Sequence, residues 1–252
     1  MSFPGCQIDP YYYFCSMSKL NKLYLIPNVL APDTHEQVLP MQVKEALSHI
    51  TYFLVEEVRT ARRFISDMQT GRSIENLVFY KLDKDTSPEE CAALFSQIPE
   101  GEDIGVISEA GCPGVADPGA LAVAYAHKKG MEVVPLVGPS SILLALMASG
   151  FNGQSFAFHG YLPIEKDLRL KAIKNLEKEA ITKRQTQLFM ETPYRNNKLL
   201  EDVLNTCQGE TKLCIAADVT GAAQFIKTKK IKEWKEKAPD LNKRPTIFVL
   251  SL

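Results

Sequence analysis

The chain has 252 residues, with 29 basic against 30 acidic side chains, a formal net charge of −1, and 45% apolar residues. Such a composition excludes a disordered, collagenous or coiled-coil chain, and no apolar run approaches the roughly 20 residues needed to span a bilayer. The length suits one large domain or two smaller ones, each able to bury a core. Charge is unevenly spread: residues 1–164 carry a net −7 and residues 165–252 a net +6. An acidic half followed by a basic half points to two domains and to a polyanionic partner for the second.

Strand-like and helical patterns alternate from residue 23 onward. Leu23-Tyr24-Leu25-Ile26 is a short apolar strand ended by Pro27, and a helical stretch around 43–49 leads to a strand at 51–55. Residues 57–68 read as a helix with a basic face of Arg59, Arg62 and Arg63, followed by a strand at 77–80. Ser87-Pro88-Glu89-Glu90 opens the next helix with a cap and a proline at its first position. A strand at 104–108, a Gly/Pro-rich loop, a helix at 118–129, a strand at 132–136 and a strongly apolar helix at 139–149 complete the first half. This alternation predicts a mostly parallel, doubly wound sheet.

Gly150-Phe151-Asn152-Gly153 interrupts the pattern. The predicted organisation is a tail over 1–18, an α/β domain over 19–152 and a second α/β domain over 153–252. In the second domain, strands at 155–159, 187–190, 212–217, 224–227 and 245–250 alternate with helices at 165–180, 194–207 and 230–237, which suggests a mixed sheet.

Six scattered cysteines (Cys6, Cys15, Cys91, Cys112, Cys207, Cys214) form no C-x-x-C pair, and four histidines do not complete a clustered metal site. They read as reduced thiols of a cytoplasmic protein with no metal. Met1 to Met17 contain no Lys or Arg, so no secretory signature opens the chain.

In open α/β sheets, ligands bind outside the carboxyl ends of the strands, so the loops there carry most weight. The loop Ser108-Glu109-Ala110-Gly111-Cys112-Pro113-Gly114-Val115-Ala116-Asp117-Pro118-Gly119 holds three glycines and two prolines, an unusual path allowing close approach to a ligand. It matches neither a dinucleotide fingerprint nor a P-loop. Its acidic pair, Glu109 and Asp117, repels phosphate but tolerates a cation or a hydroxyl-rich nucleoside. Asp117 before Pro118 also reads as a helix N-cap with proline at N1, and Cys112 as an inert thiol. Val137-Gly138-Pro139-Ser140-Ser141 enters the apolar helix, offering unpaired amides and two hydroxyls to an acceptor group, or simply capping a core helix. Glu191-Thr192-Pro193-Tyr194-Arg195 is a third such turn, with Thr192 a candidate cap. The lysines at 227, 229, 230, 232, 235 and 237 suit nucleic acid, although Glu233 and Glu236 among them fit a solvated helix face. Among the histidines, His159, before Gly160-Tyr161-Leu162-Pro163, is the one placed for a substrate contact.

Together these loops resemble the tetrapyrrole methylase superfamily of S-adenosylmethionine (SAM)-dependent methyltransferases. They are most similar to the family that methylates a cytidine ribose 2′-hydroxyl in small-subunit ribosomal RNA. Ile107 to Gly119 resembles its V-S-D-A-G-T-P-x-I-S-D-P-G segment, and Val133 to Ser141 its V-V-P-x-P-G-P-S. Phe158 to Pro163 is similar to F-E-G-F-L-P, and Met190 to Arg195 to Y-E-S-P-H-R, in the family's order from about Leu23 to Leu250. The resemblance implies two α/β domains of the tetrapyrrole methylase type with SAM in the cleft between them, usually as a homodimer. It implies cofactor contacts from Pro27, Glu109, Ala110, Gly111, Pro113, Gly114, Gly138, Pro139, Ser140, Ser141, Tyr161, Thr192, Pro193, Ala216, Ala217 and Thr246.

Departures concentrate on the substrate side. The family's G-N-L-x-D-I-T is Asn28-Val29-Leu30-Ala31-Pro32-Asp33-Thr34 here, and its A-E-D-T-R is Val55-Glu56-Glu57-Val58-Arg59. Glu109 stands for an aspartate, Cys112 for a threonine and His159 for a glutamate. The A-R-E-L-T-K-x-H-E-E segment becomes Ala216 to Gln224. Such a pattern suits a divergent paralogue. The implied reaction is SAM-dependent methyl transfer to a ribose 2′-hydroxyl of ribosomal RNA, with Glu57, Glu109 and His159 the candidate bases. A tetrapyrrole or other small-molecule acceptor, or a SAM-binding protein without turnover, are the alternatives. The partners implied are a second copy of the chain and an RNA or ribosomal subunit, with no membrane.

Overall fold

The short β-branched and aromatic runs of the first half pair into one five-stranded sheet. In the computed structural model, which describes residues 21–252, these are β1 (Lys22–Ile26), β2 (Tyr52–Val55), β3 (Val78–Lys81), β4 (Ile104–Ile107) and β5 (Glu132–Pro135), in the order β3-β2-β4-β1-β5. Every pairing is parallel. Parallel neighbours require crossover connections, and the helices supply them on both faces. On one face, α2 (Met41–His49) and α3 (Val58–Asp67) bury Val43, Leu47, Phe64 and Ile65 against Ile26 and Phe53. On the other, α4 (Pro88–Ser96) and α5 (Gly119–Lys128) bury Phe95, Ala122 and Ala126 against Leu23, Leu54 and Ile104. A one-turn helix, α1 (His35–Val38), lies between β1 and α2. The Ser87/Glu90 capping box forms as the sequence predicts, with Glu90 Oε2 accepting from Ser87 N at 2.8 Å.

The second sheet holds β6 (Phe156–Tyr161), β7 (Thr186–Met190), β8 (Lys212–Ala217), β9 (Phe225–Lys230) and β10 (Thr246–Ser251), in the order β6-β7-β10-β8-β9. Only β6 and β7 run parallel; the other pairs are antiparallel, so the sheet is mixed. One face is covered by α7 (Lys166–Lys183), α8 (Asn196–Thr206) and α9 (Ile231–Glu236), around Phe189, Phe248 and Trp234. The other face is covered by α6 (Ser141–Ser149), which comes from β5 of the first sheet. Its Ala145 and Leu146 pack on Leu188, Cys214, Ala216 and Val249, and Thr228 Oγ1 donates to Ser149 O at 2.8 Å. α6 therefore lies before residue 152 in sequence and against the second sheet in space.

Several local expectations are corrected. The N-cap of α5 is Pro118, not Asp117; the Asp117 carboxylate instead accepts from Gly119 N at 2.7 Å and Gly114 N at 3.0 Å, tying the loop to the helix. β6 extends through Tyr161, so His159 sits inside the strand and not at its end. β9 runs on past the expected 227 through Lys230, pairing with β8, so Lys230 belongs to the strand and α9 starts at Ile231. α8 begins after Arg195, and Thr192 does not cap it. Among the described residues Cys91, Cys112, Cys207 and Cys214 are free thiols. The tail over 1–18, Cys6 and Cys15 lie outside the described residues. No described helix is long and apolar enough to cross a membrane.

The β6–α7 turn is fixed by a buried ion pair. Arg169 and Asp202, with side chains 9% and 5% exposed, join α7 to α8 through two bonds of 2.9 and 2.6 Å to Asp202 Oδ2. Arg169 Nη1 also donates to Ile164 O at 2.5 Å and Pro163 O at 3.3 Å. Removing one partner strands a buried charge, which costs about 3–5 kcal/mol, whereas replacing both costs little. Arg169→Met is thus expected to lower the thermal unfolding midpoint markedly and Arg169→Met/Asp202→Leu to recover most of it, as calorimetry will show.

Candidate functional site

The site lies where β1, β4 and β5 end, and its geometry turns on Asn28, the residue after the strand-ending Pro27. Asn28 is buried. Its backbone exchanges two hydrogen bonds with Gly111, at 2.8 and 3.1 Å. Its Nδ2 donates to Ser108 O and Glu109 O at 3.1 and 3.2 Å, and its Oδ1 accepts from Val29 N at 2.8 Å. One amide side chain thus satisfies backbone groups of two loops, leaving their outer edges turned outward. Gly111 and Gly114 adopt φ of +74° and +80°, which lets the acidic loop fold back over α5.

With the loops of the first sheet taken in chain order, after β1, β4 and β5, the third seats against the first. A Cβ on Gly138 would stand 2.2 Å from Pro27 Cβ, so only glycine permits the contact. Cys112 Sγ donates to Pro139 O at 3.4 Å, joining the second loop to the third. Burial pushes the Cys112 thiol up, which keeps it protonated and inert, in line with the sequence reading. Ser140 caps α6, its hydroxyl accepting from Leu143 N at 3.4 Å. Pro27, Gly111, Gly138, Pro139 and Ser140 are therefore brought into one constellation.

From the second sheet, Tyr161 ends β6 and is 59% exposed. The Thr192-Pro193 turn is set by buried Glu191, whose Oε1 accepts from Thr192 N at 2.7 Å and from Arg195 Nη2 at 2.6 Å. Ala216 and Ala217 point into the two opposite cores of their sheet, so only their backbone can meet a ligand. Thr246, opposite Ala217, donates its hydroxyl to Arg244 O at 2.9 Å. The turn after β8 reaches the first domain: a Cβ on Gly221 would stand 3.1 Å from Ala31 Cβ.

Of the three candidate bases, Glu57 and Glu109 share one rim and His159 does not join them by any described contact. Glu57 caps α3, accepting from Arg59 N at 3.1 Å. His159 Nε2 lies 2.6 Å from Gln187 Oε1 on β7. Glu109 faces a cavity of about 340 Å³ lined also by Asn28, Leu30, Thr60, Arg63 and Phe64. Burial, then repulsion from Glu56, Glu57 and Asp117, raises its pKa above the ordinary carboxylate value, against a bond to Thr60 that lowers it. Glu56 is raised likewise, by burial and then by Asp117 and Asp83. Carboxylates that raise one another mark a negative potential, which a bound cation relieves and a phosphate worsens. The donor set thus fits a sulfonium or ammonium group. Sequence reasoning missed Asn28, Thr60 and Arg63 as site residues. Asn28 was legible as a polar residue directly after a strand; Thr60 and Arg63 reach the cavity only because α3 packs beside the β1 loop.

No protein-family model matches the chain. It is similar to proteins named ribosomal RNA small subunit methyltransferase I. That of Buchnera aphidicola is 25% identical over 84% of this chain and 70% of the relative, and that of Vibrio cholerae 26% identical over 81% and 67%. That of Mesorhizobium japonicum is 34% identical over a shorter stretch, 54% of this chain and 45% of the relative. Among solved structures, the methyltransferase CobJ aligns with a TM-score of 0.61 at 17% identity, covering 93% of this chain and 94% of that one. A conserved hypothetical protein of Aeropyrum pernix aligns with a TM-score of 0.65 at 12% identity, covering 92% and 84%. Fold and site thus define a two-domain α/β protein whose ligand loops lie at the carboxyl ends of its strands. In sequence the chain is similar to the ribosomal RNA small subunit methyltransferase I proteins, and its fold is that of CobJ.

The Gly138–Pro27 contact gives a direct test of the loop constellation. Gly138→Ala forces the third loop off the first, an overpacking cost of about 1–3 kcal/mol at the ligand edge. The variant is expected to bind S-adenosylhomocysteine about tenfold more weakly by calorimetry, with an unchanged far-ultraviolet spectrum.

Proposed function

We propose that this protein is a SAM-dependent methyltransferase acting on a ribose 2′-hydroxyl of ribosomal RNA. The observation that carries the reading is Glu109, which stands at once in the acidic cofactor loop and on the wall of the adjoining cavity. SAM, when bound, supplies an activated methyl group for in-line displacement. Pro27, Glu109 to Gly114, Gly138 to Ser141, Tyr161 and Thr192-Pro193 would hold it. The protein's own work is then to keep donor and acceptor in near-attack geometry and to exclude water. Asn28 and the Gly138–Pro27 contact fix the donor side. The Asn28–Asp33 segment and α3 wall the acceptor side, where carboxylates suit ribose hydroxyls as hydrogen-bond donors. Glu109 would accept the proton of the acceptor hydroxyl. An acceptor of this kind is met in the cytoplasm.

The first experiment is titration of the purified protein with S-adenosylhomocysteine, with NAD as control, followed by methyl transfer from labelled SAM to small ribosomal subunits. Binding of the former alone and label in ribose support the reading; absence of both overturns it. A base must be ionised to act, and the Glu109 pKa is raised, so the rate is expected to fall as pH drops through a midpoint above the ordinary carboxylate value. Glu109→Gln should lower the rate by about 10²–10⁴-fold and remove that acidic limb.

We also propose a homodimer. α6 buries one side on the second sheet and turns Leu143 and Met147, one helical turn apart, outward, with Val137 beside its start; Met147 is 77% exposed. An apolar strip of this kind on a well-packed helix is a contact surface. Met147→Glu is expected to convert a dimer to a monomer in light scattering; a wild-type monomer would overturn the proposal.

A further inference from the structure

The split of charge along the sequence points to the basic second half as the polyanion surface, but side-chain pairing points elsewhere. In that half, Lys230 and Lys232 both bond Glu210, the former at 2.6 Å. Lys229 lies over the Trp234 ring at 4.9 Å. These three cations would have to give up a partner to meet phosphate, whereas Lys227, Lys235 and Lys237 have no ion-pair partner among the described residues. In the acidic half, α3 presents Arg59 and Arg63 one turn apart, both exposed, and neither has an ion-pair partner among the described residues. Their neighbour Arg62 reaches Glu75 only at 4.0 Å.

Place matters as much as charge. Arg63 lines the Glu109 cavity, together with Thr60 and Phe64 of the same helix. A second cavity, of about 290 Å³, shares His35 and Asp67 with it and is lined also by Lys44 and Met41. Glu109, Asp33 and Asp67 line the first cavity beside Arg63; carboxylates accept from hydroxyls and repel phosphate. Arg59 stands one turn before Arg63 on the same exposed helix face. A ligand matching both signs must carry hydroxyls for the carboxylates and phosphates for the arginines.

We propose that the exposed face of α3, through Arg59 and Arg63, is the phosphodiester track of a single-stranded RNA, with one ribose of that strand entering the Glu109 cavity. The track rests on the methyltransferase reading for what happens to that ribose, but not for RNA binding itself. Arg59 and Arg63 then hold phosphates beside the acceptor nucleotide, and Phe64 gives its base an apolar wall. Lys229, Lys230 and Lys232 take no part.

The test is fluorescence anisotropy of a labelled single-stranded RNA oligonucleotide of mixed sequence across a range of salt concentrations. Arg59→Gln/Arg63→Gln is expected to bind at least tenfold more weakly. The slope of log affinity against log salt should be shallower by roughly 0.7 for each phosphate that no longer meets a cation. Arg59→Lys/Arg63→Lys should regain most of the affinity, because it restores the charge. Lys229→Gln/Lys230→Gln/Lys232→Gln should bind as the wild type does. Unchanged binding by the arginine-to-glutamine variant overturns the proposal, as does weakened binding that lysine does not rescue, an equal weakening in the β9–α9 variant, or a wild-type protein that does not bind the RNA. S-adenosylhomocysteine calorimetry and labelled methyl transfer with the wild type separate the two readings: neither cofactor binding nor transfer, alongside the expected RNA results, would sink the methyltransferase reading and leave the track standing.

Discussion

The ligand side of this protein depends on Asn28. A side-chain amide offers two donors and an acceptor, and Asn28 directs them to the backbone of its own loop and of the loop after β4. The two strands it joins, β1 and β4, are neighbours in the sheet, so the clasp adds one further rung beyond the end of their ladder. Everything attached to the acidic loop follows from that rung: the left-handed turn at Gly111, the cover over α5 held by Asp117, and the direction of Glu109. A buried amide with one partner missing would cost about as much as several surface contacts contribute. The loop therefore has one well-defined path, although almost half its residues are glycine or proline.

Electrostatics are arranged by packing and not by composition. Four carboxylates converge where β2 and β4 end, and burial, then neighbouring carboxylates, raises the pKa of Glu56 and of Glu109. In the most basic stretch of the chain, by contrast, three of the lysines find partners where it folds. Glu210 accepts from two lysines and is held down at about 2, and Trp234 covers a third. Exposed pairs of this kind contribute little to stability. Their consequence is functional, since a paired lysine is a poorer anion site than an unpaired arginine.

The two sheets are joined by continuity of an element. α6 starts in a ligand loop of the first sheet and finishes in the core of the second, so its nine residues couple the geometry of Gly138 to the packing of β8 and β10. Opposite it, the turn at Gly221 lies against Ala31. The second domain also braces its own ligand turns with buried acids: Glu191 behind Thr192-Pro193, and Asp202 through Arg169 behind Tyr161 to Ile164. In each case the charge that holds the turn sits one layer back.

Much of this was legible in the chain itself. Alternating apolar runs and helical patterns define ten strands and most helices to within a few residues, because burial on a sheet face leaves a local period. Glycine and proline mark the loops, because left-handed backbone and fixed φ need those residues wherever they occur. The family resemblance rests on the same loops, whose sequence is constrained by their own backbone. What the chain could not show is which distant groups meet. That His159 lies within β6 and bonds Gln187, that α6 belongs to the second core, and that Lys230 and Lys232 commit their charge to Glu210 are matters of register and pairing. That Thr60 and Arg63 share a cavity with Glu109, some fifty residues away, is of the same kind. Local sequence fixes φ, ψ and the buried face of each element. Only tertiary packing decides which loop ends adjoin, which charges are cancelled, and therefore where a ligand finds an unpaired cation or a crowded carboxylate.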